Sequence, residues 1–292
     1  MTTMMLWPLQ RRLEVSIELA KARRFSHRTR VTVWEAYARS TIEHRCLDPR
    51  TWATIISQIE GIKHIYGFMN KFMSLGFENR VRINAIDVIA KRLDNLSRQL
   101  IIVDVGSGPG DSLKAIWRRL TNSYIVAIDP SISLLSTACN NVLCDRVVGV
   151  AENLPIRRHG ADIVTSFYAS RDFQSLSDAL ASMISVTRRG LVIGDIFLPK
   201  HPVKKLLVKA WVCRIVPMLA MLLAGKYWKN YKGLCVTIKD WCDVQDVKTY
   251  LKQLSKRFGK QLIVESHSYV FGGLGYVAAF VEKESISGHN WS

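Results

Sequence analysis

The sequence predicts an α/β protein: a doubly wound, seven-stranded, mostly parallel sheet preceded by an N-terminal helical extension. Three observations carry this. Between residues 99 and 197, short apolar runs of strand length alternate four times with amphipathic helical patterns, the signature of a parallel sheet covered by helices on both faces. The first of these runs, "QLIIVDVG", empties directly into Gly106, Gly108 and Gly110, and a helical pattern opens at once. At 292 residues, 48% of them hydrophobic and 22% charged, the chain is long enough to bury such a core and leave extra helices.

Taken in order, residues 10 to about 95 read as helical, with turn signals only at Asp48-Pro49, Gly61, Gly67 and Gly76. Parallel strands are expected at 99–106, 123–130, 145–152, 161–169 and 191–197. Between them lie helical patterns at 112–120, 132–143 and 176–190. The last is expected to stop at Gly190, with Arg188 and Arg189 in its final turn, where cations suit the helix dipole. A basic, apolar segment follows at 202–231, then a helix near 243–258. The runs "KQLIVESHSY" and "LGYVAAFVEK" are close enough to form an antiparallel edge pair. This divides the chain into a basic helical extension (1–60), a main domain (61–285) with a helical insertion at about 200–240, and a tail (286–292).

The net charge of +17 is unevenly spread: the excess is +8 over residues 1–100, +1 over 101–200 and +8 over 201–292. A basic surface suits nucleic acid, anionic lipid or an acidic partner, and charge alone does not choose among them. Residues 10–30 hold seven Arg and Lys, read equally as a solvated helix face. Six cysteines show no Cys-x-x-Cys spacing and no neighbouring His cluster, so no metal site is expected; buried thiols and a cytoplasmic setting are. With no run of 18 apolar residues, no spanning helix is expected, because "IVPMLAMLLAG" is short and carries a Pro. Glu14, Glu18 and the lack of a short apolar core argue against a targeting segment at the N-terminus.

The glycine turn sits where open parallel sheets bind ligands, at the carboxyl end of the first strand. Its third Gly comes one residue earlier than in the dinucleotide spacing, and Asp111 follows it. A carboxylate at that helix end competes with phosphate for the same positive field, so the turn suits a ligand without phosphate. S-adenosylmethionine is such a ligand, and its ribose hydroxyls need a carboxylate at the end of the second strand. Asp129 stands there, able to accept two hydroxyl protons.

The motifs "VDVGSGPGD", "AIDPS", "AENLPI", "ADIVTSFYASRDF" and "RRGLVIGDIFLP" resemble those of class I S-adenosylmethionine-dependent methyltransferases, with their Rossmann-like fold. The chain is more closely similar to the ubiquinone/menaquinone-biosynthesis C-methyltransferase family, over about residues 60–285. "IYGFMNKFMSLGFENRVR" resembles that family's lead-in helix, "ASRDF" its element after the fourth strand, and "GGLGYVAAFVEK" its closing strand. The resemblance implies S-adenosyl-L-methionine as cofactor, bound by Asp104, Gly106, Ser107, Gly108, Asp129, Pro130, Ala151, Glu152, Asn153 and Ser166. The chain departs from the family in three places. Val150 replaces the usual acidic residue that reads adenine, leaving Glu152 or a backbone carbonyl for that role. Tyr-Asp becomes Tyr66-Gly67, and Arg-Asn becomes Arg171-Asp172.

Methylating a ring carbon requires an electron-rich ring, and a phenol titrates near ~10, so a fixed cation must favour its phenolate. Arg171 is placed for that, directly or through a water; equally, it holds its loop through an ion pair with Asp172 or Asp195. Asp195 is either a base or a cap for the helix from 202 onward. "VCRIVPMLAMLLAGKYWKNYKGLCVTI" resembles the family's helix, Gly and paired-Tyr segment, and that resemblance puts Tyr231 in the catalytic set with Arg171 and Asp195. The segment 202–231 interleaves Lys and Arg with Leu, Val, Trp and Met. It suits a bilayer surface with its cations toward anionic lipid, a lid over a greasy substrate, or a core helix that snorkels its lysines. The expected partners are a lipophilic small-molecule substrate and, peripherally, an anionic membrane. An RNA methyltransferase and a non-enzymatic assembly module are the alternatives. Against the first, no aromatic–basic recognition module appears; against the second, the glycines and Asp129 are intact.

Overall fold

The computed structural model describes residues 37–39, 41–93, 98–139 and 143–282. The basic run at 10–30 and the tail at 286–292 lie outside the described residues. Three helices lead in: α1 (Pro49–Gly61), α2 (Tyr66–Met73) and α3 (Phe77–Arg92). Asp48 starts α1 by accepting from the N–H groups of Arg50 and Thr51, with Pro49 as the first helical residue. Alternation follows: β1 (Leu100–Val105), α4 (Asp111–Arg119), β2 (Ser123–Asp129), β3 (Cys144–Val148), β4 (Ala161–Phe167), α5 (Leu176–Val186) and β5 (Thr187–Ile196). The chain then forms α6 (Pro202–Leu223), α7 (Lys232–Ile238), α8 (Val244–Arg257), β6 (Leu262–Tyr269) and β7 (Leu274–Val281).

The seven strands lie in the order β3-β2-β1-β4-β5-β7-β6. The first five are parallel, and β7 enters antiparallel between β5 and β6. The chain reverses direction across the sheet between β1 and β4, and that switch point opens the crevice used below. Both faces are covered. Val103, Val164 and Ile193 turn toward α5 and α8, whereas Ile102, Ile163 and Val192 turn toward α3 and α4. Residues 41–60 pack onto this body: Ile42 is fully buried in the core, and Cys46 forms an isolated backbone bridge with Ser175.

Four expectations are corrected. The helix α5 ends at Val186, and Thr187–Gly190 belong to β5. Arg188 and Arg189 do not face a helix dipole; both pair with the buried carboxylate of Asp162. Among the described residues of 132–143, only Ile132–Leu135 is helical. Four cysteines are not thiols: Cys139 pairs with Cys144 and Cys213 with Cys235, leaving Cys46 exposed and Cys242 buried. Finally, α6 is one helix of 22 residues whose most apolar stretch of 18 has mean hydropathy 2.0 and is 22% buried, so it is long and apolar enough to cross a membrane by length and composition only. Pro217 does not break it. A wide π turn at Trp211–Ile215 precedes the proline and takes up the missing N–H and the ring's bulk.

Candidate active site and cofactor pocket

At the switch point β1 ends in the glycine turn. Gly106 has φ +70°, and a Cβ there would sit 2.3 Å from the Ala169 Cβ, so only glycine fits. Gly108 has φ +52° and faces open space, a cradle for a ligand to approach the backbone. Asp129 closes β2 opposite this turn. Its Oδ2 accepts the Gly108 N–H at 2.8 Å and its Oδ1 the Ser131 N–H at 2.9 Å. The carboxylate is buried, and no ion pair is formed with it among the described residues. Burial raises its pKa, opposed by those two backbone bonds. Each oxygen retains a lone pair for a hydroxyl, so the donor set fits a ribose diol.

Gly106, Gly108, Asp129, Pro130, Ala151 and Glu152 line one cavity together, as the sequence expects. Trp52, Ile56 and Ile59 of α1 form its outer wall. At about 60 Å³ it is narrow, because α1 lies across it; typical small-molecule sites have ~300 Å³ or more. Glu152, half-buried, accepts the Ser175 N–H at 3.1 Å, leaving its other oxygen free to read an amine beside Val150.

Four sequence candidates stand elsewhere. Asp104 lies beneath the turn, where its Oδ1 accepts the Thr165 hydroxyl at 2.6 Å and its Oδ2 has no partner. Burial pushes its pKa up to about 6. Ser107 turns inward to the Asp104 carbonyl. Ser166 is fully buried in β4, and Asn153 faces solvent.

Beside this pocket lies a larger apolar cavity of about 270 Å³, walled by Met73, Val208, Trp211, Val212, Leu234 and Leu274. Arg171 and Asn70 are among its few polar walls, and Tyr168 separates it from the cofactor side, lining both. Tyr168 takes the left-handed conformation, φ +61°, and its ring is covered by Arg82. Leu75, Leu207 and Phe271 line the cavity and are exposed, so they form its mouth.

A third, polar chamber of about 30 Å³ sits between Gln58, Tyr66, Asn70, Arg171, Asp172 and Tyr231. It joins Arg171 and Tyr231, as the sequence expects. The Tyr231 hydroxyl, the Gln58 Oε1 and the Arg171 Nε have no partner there, which suits a chamber that receives a polar group. Burial raises the pKa of Tyr231. Asp195 lies behind Arg171: its Oδ1 accepts the guanidinium at 2.5 Å, and its Oδ2 accepts the Ser170 hydroxyl and the Arg171 N–H. It does not cap α6, whose N-cap residue is His201. Burial disfavours the charge on Arg171, but Asp172 and Asp195 outweigh it and hold the guanidinium above its usual pKa.

Sequence reasoning passed over Tyr168, Asn70 and the wall from α1. Asp172 was visible as a departure from a motif and as an ion-pair partner for Arg171, and nothing in the sequence signalled the left-handed backbone of Tyr168.

A family model described as the ubiE/COQ5 methyltransferase family matches residues 53–272. A demethylmenaquinone methyltransferase of Chlorobaculum parvum (strain DSM 263 / NCIMB 8327) is 24% identical over 177 residues, covering 60% of this chain and 73% of that protein. Two crystal structures share the fold. CurJ carbon methyltransferase has a TM-score of 0.53 at 13% identity, covering 85% of this chain and 68% of that one. Plantazolicin methyltransferase BpumL in complex with SAH has a TM-score of 0.52 at 10% identity, covering 80% and 98%.

Proposed function

Since the chain belongs to the ubiE/COQ5 methyltransferase family and is an S-adenosylmethionine-dependent methyltransferase, we propose that it methylates a ring carbon of an isoprenoid quinol precursor taken from an anionic membrane surface. The observation that carries this reading is the apolar cavity of about 270 Å³ that shares Tyr168 with the cofactor pocket and has Arg171 in its wall. An isoprenoid ring fits such a place: the tail stays among apolar side chains and the ring hydroxyl meets the one cation. When bound, S-adenosylmethionine supplies a methyl group activated on a sulfonium.

The protein's part is binding, orientation and electrostatics. Asp129 and the glycine turn hold the ribose end, and Glu152 reads the base. Tyr168 and the apolar walls exclude water and keep the ring within the ~3–3.5 Å needed for attack. Arg171 stabilises negative charge on the ring oxygen. Asp195 holds Arg171 in place and is a positioning residue.

The membrane part of the reading rests on exposed residues of α2 and α6, two helices that supply walls of the apolar cavity. Leu206 and Leu222 of α6 are 68% and 77% exposed, Phe68 and Phe72 of α2 are exposed, and Lys71, Lys204 and Lys205 are exposed on the same two helices. Apolar residues flanked by lysines suit insertion into anionic lipid beside the opening through which a lipid substrate enters.

The test is to incubate the full chain with methyl-labelled S-adenosylmethionine and reduced short-chain demethylmenaquinone. The expected result is one labelled methyl on a ring carbon. Cofactor binding without transfer to any quinol, or with label in RNA, overturns the substrate assignment.

A further inference from the structure

Asp172 stands where the polar chamber and the cofactor pocket meet, lining both, and Arg171 joins that chamber to the apolar cavity, which Asp172 itself does not line. The neighbouring cation is engaged elsewhere. Arg171 pairs tightly with Asp195, and the two Asp195 oxygens accept four donors in all: the Arg171 guanidinium, the Ser170 hydroxyl and the N–H groups of Arg171 and Ile196. Asp172 lies 3.6 Å from the Arg171 guanidinium and is itself buried. One cation thus faces two carboxylates, and Asp172 is the loosely held one.

The groups facing it come from several elements. Its own turn provides Arg171, β5 provides Asp195, and α2 provides Tyr66. Thr237 of α7 lies beside it with its hydroxyl donating to the Leu234 carbonyl, Arg45 lies behind, and Tyr231 lines the same chamber. Burial pushes the Asp172 carboxyl up to about 6, opposed by Arg171 and reinforced by Asp195. The other ionisable walls of that chamber are poorer bases: a guanidinium stays protonated, and burial raises Tyr66 and Tyr231.

We propose that Asp172 is the proton acceptor for the substrate's ring hydroxyl, an inference that rests on the quinol reading above. The ring O–H bond breaks, an O–H bond forms on an Asp172 oxygen, and the electron pair stays on the ring oxygen beside Arg171. Negative charge therefore passes from the carboxylate to the ring oxygen without changing the total in the buried cluster, which limits the desolvation cost. The ring carbon then bonds to the methyl carbon as the sulfur–methyl bond breaks, and that bond's electron pair neutralises the sulfonium. Asp172 then gives its proton back to the ring oxygen, and the carboxylate so restored takes the ring carbon's hydrogen as a proton when aromaticity returns and passes it to solvent. One proton is released per methyl transferred.

The experiment compares wild type with Asp172→Asn, using reduced short-chain demethylmenaquinone at pH 5–9, together with calorimetry of S-adenosylmethionine and S-adenosylhomocysteine. Wild-type kcat/KM should fall below about pH 6, following the carboxyl. The variant should lose at least ~10-fold of its rate at pH 7.5 and lose the acidic fall, with both affinities unchanged. A variant that keeps the wild-type rate and acidic fall overturns the proposal. So does one that loses affinity for the sulfonium compound alone, since Asp172 is then its counter-ion. If the Asn variant does not fold, wild type is assayed with a ring analogue already ionised at pH 5. The acidic fall should vanish, and its persistence overturns the proposal. Wild type that binds cofactor but methylates no quinol removes the quinol reading and this inference with it; an active wild type beside an indifferent Asn variant removes this inference alone.

Discussion

Asp129 and Gly108 are joined by a hydrogen bond, the glycine N–H donating to Oδ2 at 2.8 Å. The carboxylate that ends β2 therefore also fixes the turn that ends β1. Ligand binding and local order share one side chain, so each substitution there has two readouts.

Asp129→Ala should weaken S-adenosylmethionine binding by ~1.5–3 kcal/mol, the worth of a charge-assisted hydrogen bond. It should also lower the melting temperature, since the N–H groups of Gly108 and Ser131 lose their acceptor inside the protein. Asp129→Asn keeps one carbonyl acceptor and should recover stability more than affinity. An unchanged affinity in the folded Ala variant, measured by calorimetry, would show that Asp129 does not hold the ribose.

The helix α1 should behave as a cover. Only Ile55 within it is buried. Its ties across the pocket are few: the Ser131 hydroxyl to Glu60, and Asn230 to the Gln58 carbonyl. Its amides should exchange with deuterium faster than those of β1 in the free protein, and should slow when S-adenosylmethionine is added. Exchange in α1 that ignores the cofactor would mean the narrow pocket opens by another route.

Asp104 sets a pH dependence. Its folded pKa is raised to about 6 from an ordinary 3.8, so the folded state binds its proton more tightly than the unfolded chain. That stabilisation is fully present below about pH 4 and is lost as pH rises through about 6. At ~1.4 kcal/mol per pKa unit, the loss attributable to Asp104 is at most ~3 kcal/mol. Asp104→Asn, which keeps an oxygen for Thr165, should flatten the decline in urea stability between pH 4 and 7.5 by up to that amount. An equally steep decline in the variant would place the ionisation elsewhere. Asp172, also held at about 6, contributes in the same direction.

Membrane binding should depend on α6. Leu206→Glu with Leu222→Glu alters two exposed positions, so folding should survive while sedimentation with anionic vesicles is lost. Lys204→Glu with Lys205→Glu should weaken binding to anionic vesicles specifically, and high salt should release the wild type by screening. Equal wild-type binding to neutral and anionic vesicles would sink the electrostatic part, and undiminished binding of the double Leu variant would move the contact off α6.

Much of this architecture is legible in local patterns. Every strand lies within four residues of its apolar run, and Asp129 stands at the end of β2 as its spacing requires, because strand length and turn chemistry are local properties. The misreadings share a cause, which is partners distant in sequence. Arg188-Arg189-Gly190 looks like a helix end, yet the buried Asp162 carboxylate draws both arginines and Gly190 pairs with Ile163 in the sheet. Pro217 looks like a helix breaker until the π turn beside it takes up the strain. Disulfide partners cannot be read from spacing. Gly106 could be read as a turn, but the reason it must be glycine is the Ala169 Cβ, 63 residues away in the chain. The cavities escape a sequence reading for the same reason: Asn70, Tyr168 and Leu234 meet only through the fold.

Arg171 should support chemistry more than cofactor binding. It lines both the apolar cavity and the polar chamber, where its Nε has no partner, so part of the guanidinium faces the substrate space. A cation that stabilises charge developing on a ring oxygen acts more strongly toward the transition state, so its loss lowers kcat. Arg171→Lys keeps the charge but not the planar fork that grips Asp195, so kcat should drop while S-adenosylmethionine affinity holds. Arg171→Ala should drop it further. It also strands the Asp195 carboxylate without its cation, a change of the kind that costs about 3–5 kcal/mol, so melting must be measured alongside. The two roles separate on substrate acidity. If Arg171 holds a phenolate, ring analogues with more acidic hydroxyls should partly rescue the Ala variant, and its rate relative to wild type should climb along a graded series. If Arg171 only braces its loop, the variant melts early and that ratio stays flat across the series, which removes Arg171 from the chemistry and leaves it a strut for Asp195.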